Sequence, residues 1–489
     1  LPGGGGGTVR VLFLYPIPPP QLQEIGFQQG IGSLSATLKQ HGHETRLEAF
    51  YELDDSALEG AVEDFDPDIV GLSVTYNQFQ LACHAVTAMR RRWDFPIILG
   101  GVHPSTCPEQ CIAAEGVSAV CLGEGETAMV ELLDRMSAGN EWREVPGTWV
   151  KTDTGVIKNP VRPWVKDLDA LPFPDRDLFD ACRLIKRRDR LEVICSRGCN
   201  FGCSNCFHHA WRRRHAAGTG YVRYRSPERV VQEISEALAT RPGVRIIQFH
   251  DADLPANLPW LRRFTPLYAR EIGLPFACNA RATSLDEEGA ELLKSANCSR
   301  LHMGVESGSE FIRNKVLRKQ VTDDELVRAF ISARRHGIFT LAFNMIGLPH
   351  ETAATVRQTI RLNRKLRANV VFASVFLPFP GTDLYEVCRK EGWITDRHVR
   401  SYFEHRSVLE QPTIRSSEVS YYHRIFPWAV KYPWLTPLIA PTIKMPWPGG
   451  RRLYDVTIEP LYQRGFKLYR SIRNWLRRRH TRSDGAGNS

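Results

Sequence analysis

Short apolar, β-branched runs that end in polar or glycine-containing turns alternate with amphipathic helical stretches through most of this chain. That alternation restricts it to α/β folds built on parallel sheets. In the first part the strand-like runs are 9–16, 43–50, 66–74, 96–101 and 118–126, and a helix over 30–42 closes at Gly42. The turns at 73–75, 100–103 and 123–126 place small and polar residues along the carboxyl edge of a doubly wound, Rossmann-like sheet spanning 9–137, where such folds bind ligands. Residues 138–190 read as a connector containing the turn-rich LPFPDRDL of 171–178. Six further strand–helix pairs follow, with strands at 191–196, 245–251, 275–281, 300–306, 340–347 and 369–376. They predict a partial (β/α)6 barrel over 191–390 with functional residues where the strands end.

Beyond residue 390 the pattern breaks down. Prolines at 427, 433, 437, 441, 446 and 448 interrupt an aromatic stretch and exclude a simple membrane-spanning helix. Region 391–489 is expected to be mainly helical, with an aromatic part lying as a lid over the barrel mouth. Within it, 461–479 reads as a basic amphipathic helix, docked on the barrel or touching a membrane surface. The formal charge is +10, but residues 451–482 hold ten Arg/Lys against two acids, so the body of the chain is close to neutral. A basic tail on a neutral body argues against nucleic acid as a partner of the barrel. The opening LPGGGGG reads as a flexible leader with no apolar signal segment. A reducing, cytoplasmic setting is the expectation, with a monomeric chain.

Twelve cysteines are present, and three of them, Cys199, Cys203 and Cys206, fall within eight residues in CSRGCNFGCSNCF, just after the first barrel strand. The spacing C-x3-C-x2-C lets one short loop wrap three thiolates around a four-iron cube, leaving the fourth iron open for another ligand. Cys195, four residues before Cys199, offers a competing set, although it falls within the predicted strand. A zinc knuckle is the plainer alternative and lacks a convincing fourth ligand.

With this motif, and with FHDADLPAN, MGVESGS, FNMIGLPHET, PFPGTDLY and the connector's LPFPDRDL, the chain resembles the radical S-adenosylmethionine (SAM) enzymes that carry an N-terminal cobalamin-binding domain. The likeness covers nearly all of residues 9–390. It implies a 4Fe–4S cluster on Cys199, Cys203 and Cys206 that chelates SAM, with Glu306 and Ser307 on the ribose or methionyl end. Arg281 would meet the SAM carboxylate or else form a structural ion pair. The aromatic residue usual before the last cysteine is Asn205 here, so Phe207 is the candidate beside adenine, and Gly347 with Pro349 shapes the adenine turn. In the first domain, Ser73 and Thr75 would touch the nucleotide tail of cobalamin. Gly100, Gly101 and His103 would approach the corrin or tail, His103 being equally readable as a turn residue, and Glu124 and Gly125 would close the far side. The first turn, YPIPPP, lacks the D-x-H-x-x-G histidine of familiar cobalamin sites. The domain therefore holds cobalamin with no protein ligand to cobalt, or has lost it.

His250, Asp251 and Asp253 end the second barrel strand and would face substrate or the cobalamin edge, or cap the next helix. Arg212, Arg213 and Arg214 would bind an anionic substrate or a one-electron donor such as flavodoxin or ferredoxin, or form a solvated charge run. The resemblance implies C-methylation of an unactivated carbon in a small molecule, in specialised metabolism. One SAM methylates cobalamin and a second yields the 5′-deoxyadenosyl radical. The alternatives are a cyclase or rearranging enzyme without methyl transfer, and a non-catalytic sensor.

Overall fold

The computed structural model describes residues 7–17, 26–50, 55–181, 189–214, 220–397 and 404–444; the basic helix expected at 461–479 lies outside them. The first apolar run forms the strand Arg10–Pro16, flanked in parallel by Glu44–Phe50 on one side and Ile69–Ser73 on the other. Its interior residues are buried on both faces, which is why it reads as a continuous apolar run rather than an alternating one. Ile97–Gly100 and Ala119–Cys121 continue the sheet in the same direction, giving the order 2-1-3-4-5 of a flavodoxin-like fold. Helices Gln29–Gln40 and Glu126–Ser137 cover one face, and Asp55–Phe65 and Tyr76–Arg90 the other. Gly42, at φ +86°, ends the first helix in the left-handed region that glycine adopts freely.

This sheet runs on into the expected connector. Thr148–Thr152 and Gly155–Lys158 form an antiparallel hairpin, and its first strand pairs with Ala119–Cys121. The LPFPDRDL turn then bridges the two domains. Asp175 accepts from Ser35 in the first domain, while the Arg176 guanidinium, lying over the Phe27 ring, pairs with Glu233 in the barrel at 2.5 Å.

The second sheet comprises Arg190–Val193, Ile246–Phe249, Phe276–Ala280, Cys298–Glu306, Phe339–Ile346 and Val370–Val375, all parallel and in chain order. Among the described residues its first and last strands do not pair, so the barrel is open as predicted. Alternate residues such as Leu301, Met303 and Val305 pack beneath the helices, leaving His302, Gly304 and Glu306 on the opposite face of the sheet. The intervening helices start on Ser226, Asp286, Thr322 and Thr352, each accepting a backbone N–H three residues on.

At the C-terminus, helix Ser416–Lys431 runs along the free edge of the last strand. A ring nitrogen of His423 lies 3.0 Å from the Ala373 carbonyl oxygen, and Arg364 Nε donates to the Ala429 carbonyl at 2.8 Å. This helix shields a sheet edge, and the aromatic C-terminal region expected as a lid continues past residue 444, outside the described residues. No helix among the described residues is long and apolar enough to cross a membrane.

Candidate active site

The carboxyl edge of the first sheet faces the mouth of the barrel across a cavity of about 490 Å³. On the first-domain side its wall includes Ser73, Thr75, Gly100, Gly101, Glu124 and Gly125. Thr75 opens the helix Tyr76–Arg90, with its hydroxyl 2.8 Å from Gln78 Oε1. Gly101 sits at φ +93°, and a Cβ there would lie 2.9 Å from Ser73 Oγ and 3.0 Å from Val74 N, so only glycine lets these two turns meet. At Gly100 an added Cβ would meet nothing closer than 3.8 Å, leaving a smooth floor that a side chain would fill. A flat, side-chain-free floor at the carboxyl edge of the sheet suits a large planar cofactor held through backbone groups, and so fits cobalamin.

His103 is placed elsewhere. The short helix Val102–Thr106 turns it inward, 2% exposed, edge-on to Phe79 and Tyr76, and burial pushes its imidazole pKa down to about 4. It lies outside the cavity, contrary to the expectation that it approaches the corrin. Among the described residues, the histidines lining the cavity are His208 and His250, both from the barrel side.

Glu124 also has a role its sequence position does not reveal. Its carboxylate accepts from both Arg223 nitrogens at 2.9 Å, from Arg197 at 3.1 Å and from the Val165 N–H at 2.7 Å. Arg197 also reaches Glu126 at 2.6 Å. Arg197 lies between the first barrel strand and the cysteines, and Arg223 lies beyond them on the short strand Arg223–Tyr224 that pairs with Ser196–Arg197, so these pairs fasten the first domain to both ends of the cluster segment. The remaining cavity wall carries an aromatic group of Trp164, Trp211 and Tyr221, with Tyr221 Oη 2.8 Å from His208 Nδ1.

On the barrel side, Cys199, Cys203 and Cys206 are all half-buried, and burial first, with the neighbouring Cys203 and Cys199 adding to it, pushes the Cys206 thiol up to about 12. A thiol so desolvated loses its proton to a metal rather than to water. Among the described residues no three His, Cys, Asp or Glu side chains converge on a single ion. Three thiolates that each bind a different iron of a cube need not do so, and the donor set fits a 4Fe–4S cluster. Cys195 is fully buried behind the loop, and its backbone N–H donates to Asp251 Oδ1 at 3.0 Å.

Asp251 thus differs from its expected substrate-facing role: although it borders the cavity, its carboxylate accepts from the Cys195 and Ser196 N–H groups and the Ser196 hydroxyl. Asp253 likewise accepts from the Arg281 N–H and the Ser284 hydroxyl. His250 remains at the cavity, 3.5 Å from Glu192. Among the described residues Arg281 forms no carboxylate pair and its Nε has no partner; its guanidinium lies 3.5 Å from the Phe201 ring centroid and 3.6 Å from Cys203 Sγ, and it donates to the Lys319 carbonyl.

Glu306 stands at φ +66°, in the register shift that ends its strand, and pairs with Lys319 Nζ at 2.9 Å. A non-glycine residue in that region is strained backbone of the kind that clusters at functional sites. Ser307 is turned into the protein, its hydroxyl near Thr359 and the Ser309 N–H. Gly347, at φ +84°, packs against Val419 and donates its N–H to the buried Glu351 at 2.6 Å. Asn205 reaches Met345 Sδ at 3.7 Å, and Phe207 lines the cavity, stacked on His208. Lys319, Phe201, Arg197 and Arg223 were not found by sequence reasoning, because their roles depend on partners far away in the chain.

Residues 193–362 match the family model described as the radical SAM superfamily, and residues 22–133 match the B12-binding domain. An uncharacterized methyltransferase of Pyrococcus horikoshii is 27% identical over 370 residues, covering 73% of this chain and 77% of that protein. An anaerobic magnesium-protoporphyrin IX monomethyl ester cyclase of Rubrivivax gelatinosus is 25% identical over 347 residues, covering 68% of this chain and 61% of the cyclase. The fold is shared with the radical S-adenosylmethionine methyltransferase TsrM from Kitasatospora setae, solved with cobalamin and a 4Fe–4S cluster bound. The TM-score is 0.66 over 86% of this chain and 85% of that one, at 20% identity. With the two matches in this order around one cavity, the chain combines a radical SAM domain, whose cofactors are a 4Fe–4S cluster and SAM, with an N-terminal B12-binding domain, whose cofactor is cobalamin.

Proposed function

We propose that this enzyme is a radical C-methyltransferase acting on an unactivated carbon of a small molecule. The observation that carries this reading is the shared cavity: the glycine floor of the first domain and Phe207, His208 and Trp211, which follow directly on the last cluster cysteine, line one space. When bound, cobalamin would supply a methyl group, and SAM on the cluster would supply a radical that removes a substrate hydrogen.

The chain's own residues position these groups. Cys199, Cys203 and Cys206 each hold one iron, and Arg281, wedged between Phe201 and Cys203, places positive charge beside the thiolates. Lys319 holds the Glu306 carboxylate at the strained end of its strand, beside the space where the methionyl or ribose end of SAM would lie. Trp164, Trp211 and Tyr221 give the cavity an aromatic, largely apolar wall. The Glu124, Arg197 and Arg223 pairs hold the two walls in register.

Turnover with SAM carrying a deuterated methyl group tests this. We expect a product heavier by one labelled methyl, with one 5′-deoxyadenosine and one S-adenosylhomocysteine formed per product. The relationship to a cyclase raises a second reading, oxidative cyclisation or rearrangement. A product without label, accompanied by 5′-deoxyadenosine alone, would establish that reading instead.

A further inference from the structure

Reductive cleavage of SAM consumes one electron per event, and that electron must enter the cluster from outside the cavity. The helix Phe207–Arg214 has two faces. Phe207, His208 and Trp211 border the cavity, while His209 and Arg213 turn away from it to Asp383, at 3.3 and 2.6 Å. Arg318 reaches the same carboxylate at 2.6 Å. This second face lies directly on the cluster loop. A Cβ at Gly202 would sit 3.7 Å from the His209 ring, and the Leu384 N–H, next to Asp383, donates to the Ser204 carbonyl at 3.0 Å. The Ser204 N–H in turn donates at 3.0 Å to the carbonyl of Leu317, beside Arg318.

The charge here is lopsided. Arg213, Lys315 and Arg318 are exposed, and Arg212 donates to the Asn200 carbonyl on the cluster loop at 3.1 Å. Asp383, 12% exposed, stands between two of these guanidiniums, whereas Glu109 and Glu386 pair instead with Arg214 and Arg389. The body of the chain is nearly neutral, so this cationic patch beside the cluster loop is a local feature. An anion bound there sits across the helix from the cavity and could not present a carbon to the radical.

We infer that the patch of Arg212, Arg213, Lys315 and Arg318 is the docking surface for an acidic one-electron carrier protein of the flavodoxin or ferredoxin class. In the docked complex the carrier gives up one electron and the cluster gains it; no bond changes until SAM accepts that electron and its S–C5′ bond breaks into methionine and the 5′-deoxyadenosyl radical. Long-range attraction between opposite charges raises the encounter rate and depends on salt.

This inference rests on the radical SAM assignment and not on methyl transfer, because SAM cleavage is read without any methylated product. The test uses the reconstituted full chain with reduced flavodoxin as the probe and dithionite as a small reductant that needs no docking surface. For Arg213→Glu with Arg318→Glu, flavodoxin binding and flavodoxin-driven 5′-deoxyadenosine formation should each fall roughly tenfold or more at low ionic strength. The dithionite-driven rate should stay within about twofold, since the surface only steers the encounter. Should the double variant fail to fold, Arg213→Gln and the salt dependence of the unaltered protein decide the matter: flavodoxin binding must weaken as ionic strength rises. Equal loss with both reductants, binding indifferent to salt and charge, or a raised KM for an anionic small substrate with flavodoxin binding intact would each overturn it.

Discussion

The two sheet edges that face each other across the cavity are both carboxyl ends of parallel strands, yet they are built of opposite materials. The first is made of small residues, with Gly100, Gly101, Gly123 and Gly125 among the cavity residues and few charged side chains free to act. The barrel edge presents Gly198, Phe207 and His208 to the cavity, and the residues between them, outside the cavity lining itself, include the thiols Cys199, Cys203 and Cys206, with the buried Arg281 and Lys319 close behind. A floor without side chains gives shape and backbone contacts, which suits a large cofactor carrying its own reactivity. An edge of ligating side chains imposes chemistry of its own. The same topological position thus serves as a cradle in one domain and as a reaction centre in the other.

The difference is sharpest in the cysteines. Cys199→Ala, Cys203→Ala and Cys206→Ala should each abolish 5′-deoxyadenosine formation and lower bound iron, whereas Cys195→Ala should keep both, at a packing cost of about 1 kcal/mol. Iron analysis with a SAM cleavage assay checks this, and loss of the cluster in Cys195→Ala with retention in Cys206→Ala would reverse the ligand assignment.

The seam between the edges should respond next. Glu124→Ala strips the buried Arg223 of its carboxylate and Arg197 of one of two, which should cost roughly 3 kcal/mol. Thermal melting and cobalamin content after reconstitution should both drop. A variant as stable as the parent would show that the domains are held together in some other way.

The cradle should show a smaller effect on stability than the seam. Gly101→Ala forces a side chain into a backbone region that is nearly exclusive to glycine, and roughly 1–3 kcal/mol should be lost. Cobalamin binding should weaken while SAM cleavage persists, because the thiolates are untouched. Parallel loss of both activities would erase the distinction between the two edges.

What could be read from the sequence follows the range of the interactions involved. The apolar run 9–16 announces its strand because burial on both faces leaves a local signature, and Gly42 marks a helix end through its own backbone freedom. The cysteine triad is legible because its spacing is its chemistry. The hairpin of Thr148–Thr152 and Gly155–Lys158 was hidden in the connector, since its short strands are fixed by pairing with Ala119–Cys121 rather than by their own pattern. His103 followed two glycines and looked like a turn residue, but one helical turn rotates it onto Phe79. Glu124 and Asp251 were read as facing ligands, yet each is committed to partners at least 41 residues away, and no local pattern carries that information.

The central claim, that one cavity brings the B12 domain and the cluster loop together, can be tested by EPR. In protein reconstituted with both cofactors and partly reduced, cob(II)alamin and the reduced cluster each carry an unpaired electron. Sharing one cavity predicts a magnetic interaction between them, seen as splitting or faster relaxation of the cobalt signal, which disappears in Cys203→Ala. Cobalt and cluster spectra that superimpose on those of the separately loaded protein would contradict it.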